Sequence, residues 1–147
     1  RVVEEGLRSG WLEGLAGYEV RPEFRFGESR LDFMLARDDE KLLLEVKNVT
    51  LCCQPVVACF PDAVTVRGQK HLRELVAAVE QGWRAVIFFL VQRGEAQSFV
   101  PADEIDAEYG RLLRWAVDAG VEVVACRTIV TPASVRVGPR LEVDLSS

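Results

Sequence analysis

Two carboxylates and one lysine within residues 30–50 have the types and the spacing to act together on a phosphate group. Twelve residues separate Asp32 from Glu45, and Lys47 follows Glu45 by two positions. Two carboxylates held close together can bind Mg²⁺, which keeps several of its waters when bound. Such an ion lowers the pKa of a bound water and neutralises charge on a transferring phosphate. A lysine beside the ion could orient the nucleophile or stabilise the oxyanion that forms.

A β-hairpin is the element that would bring these residues together. Two short apolar runs flank a charged cluster at residues 37–40, which is typical of a hairpin. With those four residues as the loop, Asp32 lies directly opposite Glu45, and the two charges repel each other unless a cation neutralises them. The same count places Arg30 opposite Lys47, and alternation puts Lys47 on the face of the two carboxylates. The other face is predicted to be wholly apolar, with Leu31, Phe33, Leu35, Leu42, Leu44 and Val46.

The spacing of Asp32, Glu45 and Lys47 matches the D…ExK form of the PD-(D/E)XK nuclease motif, and the predicted chain order matches the αβββαβ core of that superfamily. Hydrophobic periodicity predicts helices at residues 2–15, 65–81 and 105–119, and strands at 18–26, in both arms of the hairpin, at 84–91 and at 121–125. Residues 92–101 are predicted as loop, and residues 128–145 as one or two short strands. We therefore expect one α/β domain over residues 1–147, with a mixed central sheet, flanking helices and a restriction-endonuclease-like core.

The triplet also has a simpler interpretation, in which the open end of the hairpin is charged because it faces water. The D…ExK pattern alone is weak evidence. A metal site is favoured because the triplet lies on a hairpin whose other face is wholly apolar. Glu5 and Glu23, from the predicted first helix and first strand, are further candidates, and we predict that Glu5 is catalytic together with Lys47. Either glutamate also fits an ordinary surface carboxylate.

Three side chains near the start of the helix predicted at 65–81 could bind phosphate. Arg67, Lys70 and His71 stand at positions i, i+3 and i+4 and are therefore predicted to share one face. Donors at a helix start can hold a backbone phosphate. The alternatives are a solvated basic face and, for the only histidine of the chain, a packed position in the core.

Composition sets further limits on the function. A net charge of −5 argues against tight electrostatic binding to nucleic acid over the whole surface, although it leaves a local basic patch open. No apolar run approaches the roughly 20 residues of a membrane span, and the N-terminal stretch is amphipathic and charged, unlike a signal peptide. We expect a cytoplasmic protein without a membrane partner.

The cysteines, Cys52, Cys53, Cys59 and Cys126, are expected to be reduced, because nothing in the sequence indicates secretion. The first three could be drawn together with His71 as a zinc site. Their spacing does not fit the usual zinc motifs, and buried, inert thiols fit better.

Five blocks of the sequence are distinctive: SRLDF at 29–33, EVKNVTL at 45–51, FPDAVTVRGQKHLREL at 60–75, FFLVQR at 88–93 and GVEVVA at 120–125. In these blocks the chain resembles the sugar fermentation stimulation protein A (SfsA) family over nearly its whole length. Members of that family are described as DNA-binding proteins linked to maltose metabolism, with a nuclease-like C-terminal domain. They also carry an N-terminal OB-like domain, which we expect to be missing from this sequence.

The resemblance implies that Asp32 and Glu45 are metal ligands for Mg²⁺ or Mn²⁺ and that Lys47 assists catalysis. Contacts with DNA are implied for Arg30, Asn48, Thr50, Arg67, Lys70 and His71. Residues 51–59, LCCQPVVAC, depart from the family, in which an acidic-glycine turn is common, so the strand pairing after Thr50 is open.

We therefore expect a DNA-binding protein with a metal-dependent phosphodiesterase site. It would contact DNA through the sugar–phosphate backbone. The oligomeric state is open, and a homo-oligomer is one alternative. A second reading is a non-catalytic nucleic-acid-binding or regulatory domain with a vestigial acidic pair. A third is a purely structural or interaction domain, which the acidic pI favours.

Overall fold

The structure is a computed structural model that describes residues 2–10 and 14–146. Its helices are α1 (Val2–Arg8), α2 (Val66–Glu80) and α3 (Ala107–Asp118). Its strands are β1 (Glu19–Phe26), β2 (Ser29–Arg37), β3 (Glu40–Val49), β4 (Leu51–Gln54), β5 (Val57–Phe60), β6 (Arg84–Val91), β7 (Ser98–Pro101), β8 (Glu122–Thr131), β9 (Ser134–Arg140) and β10 (Glu142–Val143).

A six-stranded mixed sheet of order β1-β2-β3-β6-β8-β9 forms the centre of the fold. The three middle strands, β3, β6 and β8, are parallel, and the strands outside them pair antiparallel. Parallel neighbours need a crossover, which α2 supplies before β6 and α3 supplies before β8. The central strand β6 is apolar along its length because both of its faces are covered, and Pro22 lies in the edge strand β1.

A second sheet of order β10-β7-β5-β4 was not predicted from the sequence. Residues 92–101 were expected to be loop, but Ser98–Pro101 form β7, which pairs parallel with β5. A four-residue strand gives too short an alternation to be recognised, and its pairing partners are distant in the sequence.

The helix predicted at residues 2–15 ends earlier in the structure. Helix α1 stops at Arg8, and Gly10 adopts a φ of +74°, a left-handed conformation that ends the helix. Trp11, which falls within the predicted helix, lies outside the described residues.

Two apolar clusters cover the two faces of the central sheet. One lies on the side of α2 and α3, and the other lies on the side of α1 and contains Phe33, Leu35, Leu42 and Leu44. Leu31 was expected to share the face of Phe33, but it packs in the α2 cluster. The alternation of side chains between the two faces of β2 is interrupted at this point. On the neighbouring strand β1, Glu23 lies between the partners of Phe33 and Leu31, and its φ of +55° is a left-handed conformation.

The expectation that all cysteines are reduced is wrong for two of them. Cys53 and Cys59 form a disulfide that links β4 to β5, whereas Cys52 and Cys126 are free thiols. The two cysteines lie on neighbouring antiparallel strands, which brings their Cα atoms within 5.9 Å, inside the range that a disulfide spans.

Candidate active site

The hairpin of β2 and β3 has the predicted register but a shorter loop. Ala36 pairs with Lys41, and Arg37 also pairs with Glu40, so only residues 38–39 form the turn. At the other end the ladder stops at the Phe33–Leu44 pair. Arg30 therefore does not pair with Lys47 as predicted. This pair is missing because β2 has parted from β3 at this point, while on its other side Arg30 lies opposite Arg25 of β1.

Where the ladder stops, the two carboxylates take the place of backbone acceptors. The Asp32 N–H donates to Glu45 Oε1 at 3.0 Å, and the Val46 N–H donates to Asp32 Oδ2 at 2.8 Å. Each side chain thus bonds to the backbone of the opposite strand. The strands separate because the carboxylates stand between them, and the same hydrogen bonds hold the two charges together.

Glu45 also belongs to a buried cluster with Lys47 and His71. Its Oε2 lies 3.1 Å from Lys47 Nζ and 3.0 Å from His71 Nδ1, and these two nitrogens are 2.9 Å apart. Glu45 is 4% exposed and His71 3% exposed. Both oxygens of Glu45 are therefore engaged by hydrogen-bond donors within the protein.

The two carboxylates differ in their electrostatic environment. Burial raises the pKa of Asp32, and the charge of Glu45 raises it further, against the opposing hydrogen bond from the Val46 N–H. Burial would also raise the pKa of Glu45, but the hydrogen bond with His71 and the charge of Lys47 lower it below its ordinary value. The charge of Lys47 also lowers the pKa of Asp32 but does not offset these effects, so Asp32 is the less compensated of the two carboxylates.

A buried polar network behind the site fixes the helix that carries His71. Asp106 caps α3 by accepting from the Tyr109 N–H, and it also accepts from the Thr65 N–H and from Gln69 Nε2. Thr65 in turn caps α2 through its side chain. One buried carboxylate therefore joins the starts of α2 and α3, and the backbone hydrogen bonds it accepts help to lower its pKa despite burial.

Tyr109 brings a further polar group into this interior. Its side chain is fully buried, and within residues 2–10 and 14–146 its hydroxyl has no hydrogen-bond partner. Burial raises the pKa of this hydroxyl, and the charges of Glu45 and Asp106 raise it further.

The donor set fits a hard divalent cation. Asp32 lines a cavity of about 350 Å³, so its carboxylate is reached from outside, and the incompletely compensated charge beside Glu45 would be neutralised by a cation. In the described part of the chain, no cluster of three or more histidine, cysteine, aspartate or glutamate side chains has the geometry of a metal site. Water and phosphate oxygens would therefore complete the coordination, as Mg²⁺ and Mn²⁺ allow.

The other predicted acidic residues lie outside this cluster. Glu5 lines a different cavity, between α1 and β9, together with Ser9 and Val137. Glu23 is exposed and lies 3.7 Å from Arg30. Glu5 and Glu23 therefore neither line the cavity of Asp32 nor take part in the ion pairs of Glu45.

The predicted nucleic-acid contacts divide into exposed and buried residues. Arg30, Arg67, Lys70, Asn48 and Thr50 are exposed, and Asn48 lines the same cavity as Asp32. His71 was predicted to share one face with Arg67 and Lys70, with a packed position in the core as the alternative. The structure has the packed position, in which the ring is buried and touches Glu45 and Lys47.

Sequence reasoning missed Gln69 and Asp106. Asp106 carried a usable signal, since an aspartate directly before an apolar helical stripe is a typical N-cap. Gln69 had no such signal, because a polar residue on a helix is recognised as buried only from what packs against it. Helical spacing does predict Tyr109 in the buried stripe of α3, together with Leu112 and Leu113, and the structure confirms it.

The comparisons with known proteins agree with this fold. Residues 1–134 match the family described as "Sugar fermentation stimulation protein RE domain". Sugar fermentation stimulation protein homologs from Syntrophotalea carbinolica and Pelobacter propionicus are 56% and 52% identical to 99% of this chain, which spans 63% and 64% of their lengths. The structure of Pyrococcus furiosus SfsA in complex with Ca²⁺ superimposes with a TM-score of 0.89 at 30% identity, covering 97% of this chain and 62% of that one. The predicted restriction-endonuclease-like fold is confirmed.

Proposed function

The chain belongs to the SfsA family of sugar fermentation stimulation proteins, and we propose that it is a nucleic-acid-binding domain with a metal-dependent phosphodiesterase site. The observation that carries this proposal is the interlocked pair of Asp32 and Glu45 at the point where β2 and β3 separate. Lys47 stands 3.1 Å from Glu45, at the distance of a charge-assisted hydrogen bond.

Each residue of the triplet has a distinct task in this proposal. Asp32 is reached through the cavity and would be the ligand nearest the substrate. Glu45 would hold the same Mg²⁺ or Mn²⁺ from behind, and Lys47 would donate to an anionic oxygen of the phosphate. The bound ion would lower the pKa of a water and neutralise charge on the phosphate.

DNA is the partner that we propose. Asn48 lies beside Asp32 on the cavity wall, and Arg67 and Lys70 are exposed at the start of α2, the helix whose His71 touches Glu45. Contacts of this type go to the sugar–phosphate backbone and carry no sequence information by themselves. We therefore expect binding that weakens with salt and depends little on sequence. A role in regulating sugar fermentation, after which the family is named, would act through this binding.

A second candidate is a non-catalytic DNA-binding domain in which the acidic pair is vestigial. The observation that favours it is the saturation of Glu45: Oε1 accepts from the Asp32 N–H, and Oε2 lies within hydrogen-bond distance of Lys47 and His71. A carboxylate held in this way has less to gain from a metal.

Calorimetric titration with Mn²⁺ tests the metal site. The native protein and the control variant Asp39→Ala, in the exposed turn of the same hairpin, should each bind Mn²⁺, and Asp32→Ala should lose that binding. Equal binding by the native protein and by Asp32→Ala would exclude this site.

Incubation with single-stranded and double-stranded DNA then separates the two candidates. Cleavage that requires Mg²⁺ or Mn²⁺ and is lost in Asp32→Ala supports the phosphodiesterase. DNA binding without cleavage under any metal supports the non-catalytic candidate. A lack of DNA affinity at low salt would contradict both.

A further inference from the structure

The one histidine of the chain makes contacts that differ from those of a phosphate ligand. His71 is 3% exposed, and a single ring atom, Nδ1, lies 3.0 Å from Glu45 Oε2 and 2.9 Å from Lys47 Nζ. A phosphate contact needs access to the ligand, which the neighbouring Arg67 and Lys70 have and His71 lacks. We infer that His71 is a positioning residue, which fixes the Glu45 carboxylate and the Lys47 ammonium relative to each other. This inference rests on the metal site proposed above.

Glu45 and Lys47 would be poorly fixed without the ring. They lie two positions apart on one strand, so their side chains extend side by side from the same face. The lysine has a flexible four-carbon stem, and the glutamate has a free terminal torsion. A planar imidazole in contact with both charged ends limits this freedom. Its Nδ1 hydrogen-bonds to one of the two ends, either as a donor to Glu45 or as an acceptor from Lys47, and stays in contact with the other.

The ring itself is held by the helix network. His71 lies two residues after Gln69, whose Nε2 donates to Asp106, and Asp106 also accepts from the Thr65 N–H at the start of α2. The start of α2 therefore cannot shift relative to α3 without breaking these hydrogen bonds. This fixed helix lets a side chain from outside the β2–β3 hairpin set the geometry of the hairpin's charged groups.

Loss of such a partner weakens a metal site even though the ligands remain. Groups that orient metal ligands typically contribute a factor of 10–100 in metal affinity. A side chain that touches phosphate would have a different signature, since its loss lowers DNA affinity and leaves Mn²⁺ affinity unchanged.

The test compares two substitutions at the same position. His71→Leu removes the hydrogen bond of Nδ1 and keeps an apolar side chain in the core, whereas His71→Asn keeps a short polar group near the place of Nδ1. By calorimetry, we expect the Mn²⁺ dissociation constant to rise about 10–100-fold in His71→Leu. We expect His71→Asn to restore most of the affinity, and Glu80→Gln, an exposed change on the same helix, to have no effect.

The outcomes separate this inference from the proposal on which it rests. Equal Mn²⁺ binding by the native protein and His71→Leu overturns the positioning role and leaves the metal site standing. Weak binding by both His71→Leu and His71→Asn also overturns it, because the hydrogen bond of Nδ1 would then not be the cause. Absence of Mn²⁺ binding by the native protein overturns the proposed function instead.

A second measurement needs neither metal nor a change at His71. Since the chain has one histidine, its imidazole ¹⁵N resonances are assigned without ambiguity. In the metal-free protein, Lys47→Met and Glu45→Gln should each shift the Nδ1 resonance, whereas Glu80→Gln should not. An Nδ1 resonance that is unchanged in both variants overturns the positioning role, even if His71→Leu does not fold.

Discussion

Asp32→Asn should stabilise the metal-free protein, although it removes a group that we place in the metal site. The pKa of Asp32 is raised by burial and by the charge of Glu45, so ionised Asp32 opposes folding at neutral pH. Asparagine removes the charge and keeps an oxygen that can accept from the Val46 N–H. Like charges facing each other across two strands cost up to about 1 kcal/mol. The free energy of unfolding should therefore rise by about 1 kcal/mol, and the melting temperature by about 2–4 °C.

The matched substitution Glu45→Gln should have the opposite sign. The pKa of Glu45 is lowered in spite of its burial, through His71 and Lys47, so its charge contributes stability. Glutamine would leave the Lys47 ammonium, whose side chain is 13% exposed, without a charged partner. Breaking a buried ion pair from one side costs about 3–5 kcal/mol. Because the amide oxygen still accepts a hydrogen bond, we expect the lower end of this range, about 3 kcal/mol.

Urea denaturation of the metal-free proteins across pH is the assay. The gain in the free energy of unfolding from Asp32→Asn should reach its full value above the raised native pKa of Asp32. It should shrink as the pH falls through that pKa and vanish below the ordinary value of 3.8. The loss in the free energy of unfolding from Glu45→Gln should reach its full value above the ordinary pKa of 4.5. This loss should disappear as the pH falls through the lowered native pKa of Glu45. Destabilisation by Asp32→Asn at pH 7 would refute the view that Asp32 carries an incompletely compensated charge.

Three further predictions concern groups around the site. Tyr109→Phe should raise the free energy of unfolding by about 1 kcal/mol, because a buried hydroxyl without a partner costs about 1–3 kcal/mol. If urea denaturation instead shows a lower free energy of unfolding, the hydroxyl is bonded to a buried water and the prediction is wrong. Reduction of the disulfide between Cys53 and Cys59, which are six residues apart, should lower the free energy of unfolding by about 2 kcal/mol. The measurement compares unfolding with and without dithiothreitol, and a Cys53→Ser variant serves as a control that should not respond. Asp106→Ala should lower the free energy of unfolding by about 3 kcal/mol through loss of the α3 cap and exposure of unpaired donors such as Gln69 Nε2, whereas Asp106→Asn should lower it less.

The hairpin shows what the sequence could and could not predict about the site. Its register follows from two apolar runs and one charged turn, and the Ala36–Lys41 pair confirms it. The separation of the strands beyond Phe33 does not follow from any periodicity. It arises because Asp32 and Glu45 bond to the opposite backbone, which is a tertiary arrangement.

Helix α2 shows the same division. The spacing of Leu72, Leu75, Val76 and Val79 predicts its buried stripe. The first three are buried, and Val79 is partly buried. Helical spacing also placed His71 with Arg67, because residues four apart are neighbours on a helix. Whether a polar residue on this helix faces inward depends on whether the strand below it offers a polar partner. For His71 that partner is Glu45, which lies far away in the sequence.

The balance of charges at the site decides which carboxylate should govern metal binding. Glu45 is already compensated by Lys47 and within hydrogen-bond distance of His71, so an arriving cation gains little from its charge. Asp32 accepts from the Val46 N–H, and the charge of Lys47 offsets its own only in part. Its pKa stays raised by burial and by the charge of Glu45, which a divalent ion would offset. Most of the electrostatic gain on metal binding should therefore come from Asp32, while Glu45 supplies a fixed oxygen. For this reason Asp32→Asn should weaken Mn²⁺ binding more than Glu45→Gln does, once both are corrected for their opposite effects on folding. The reverse order would place the less compensated charge on Glu45.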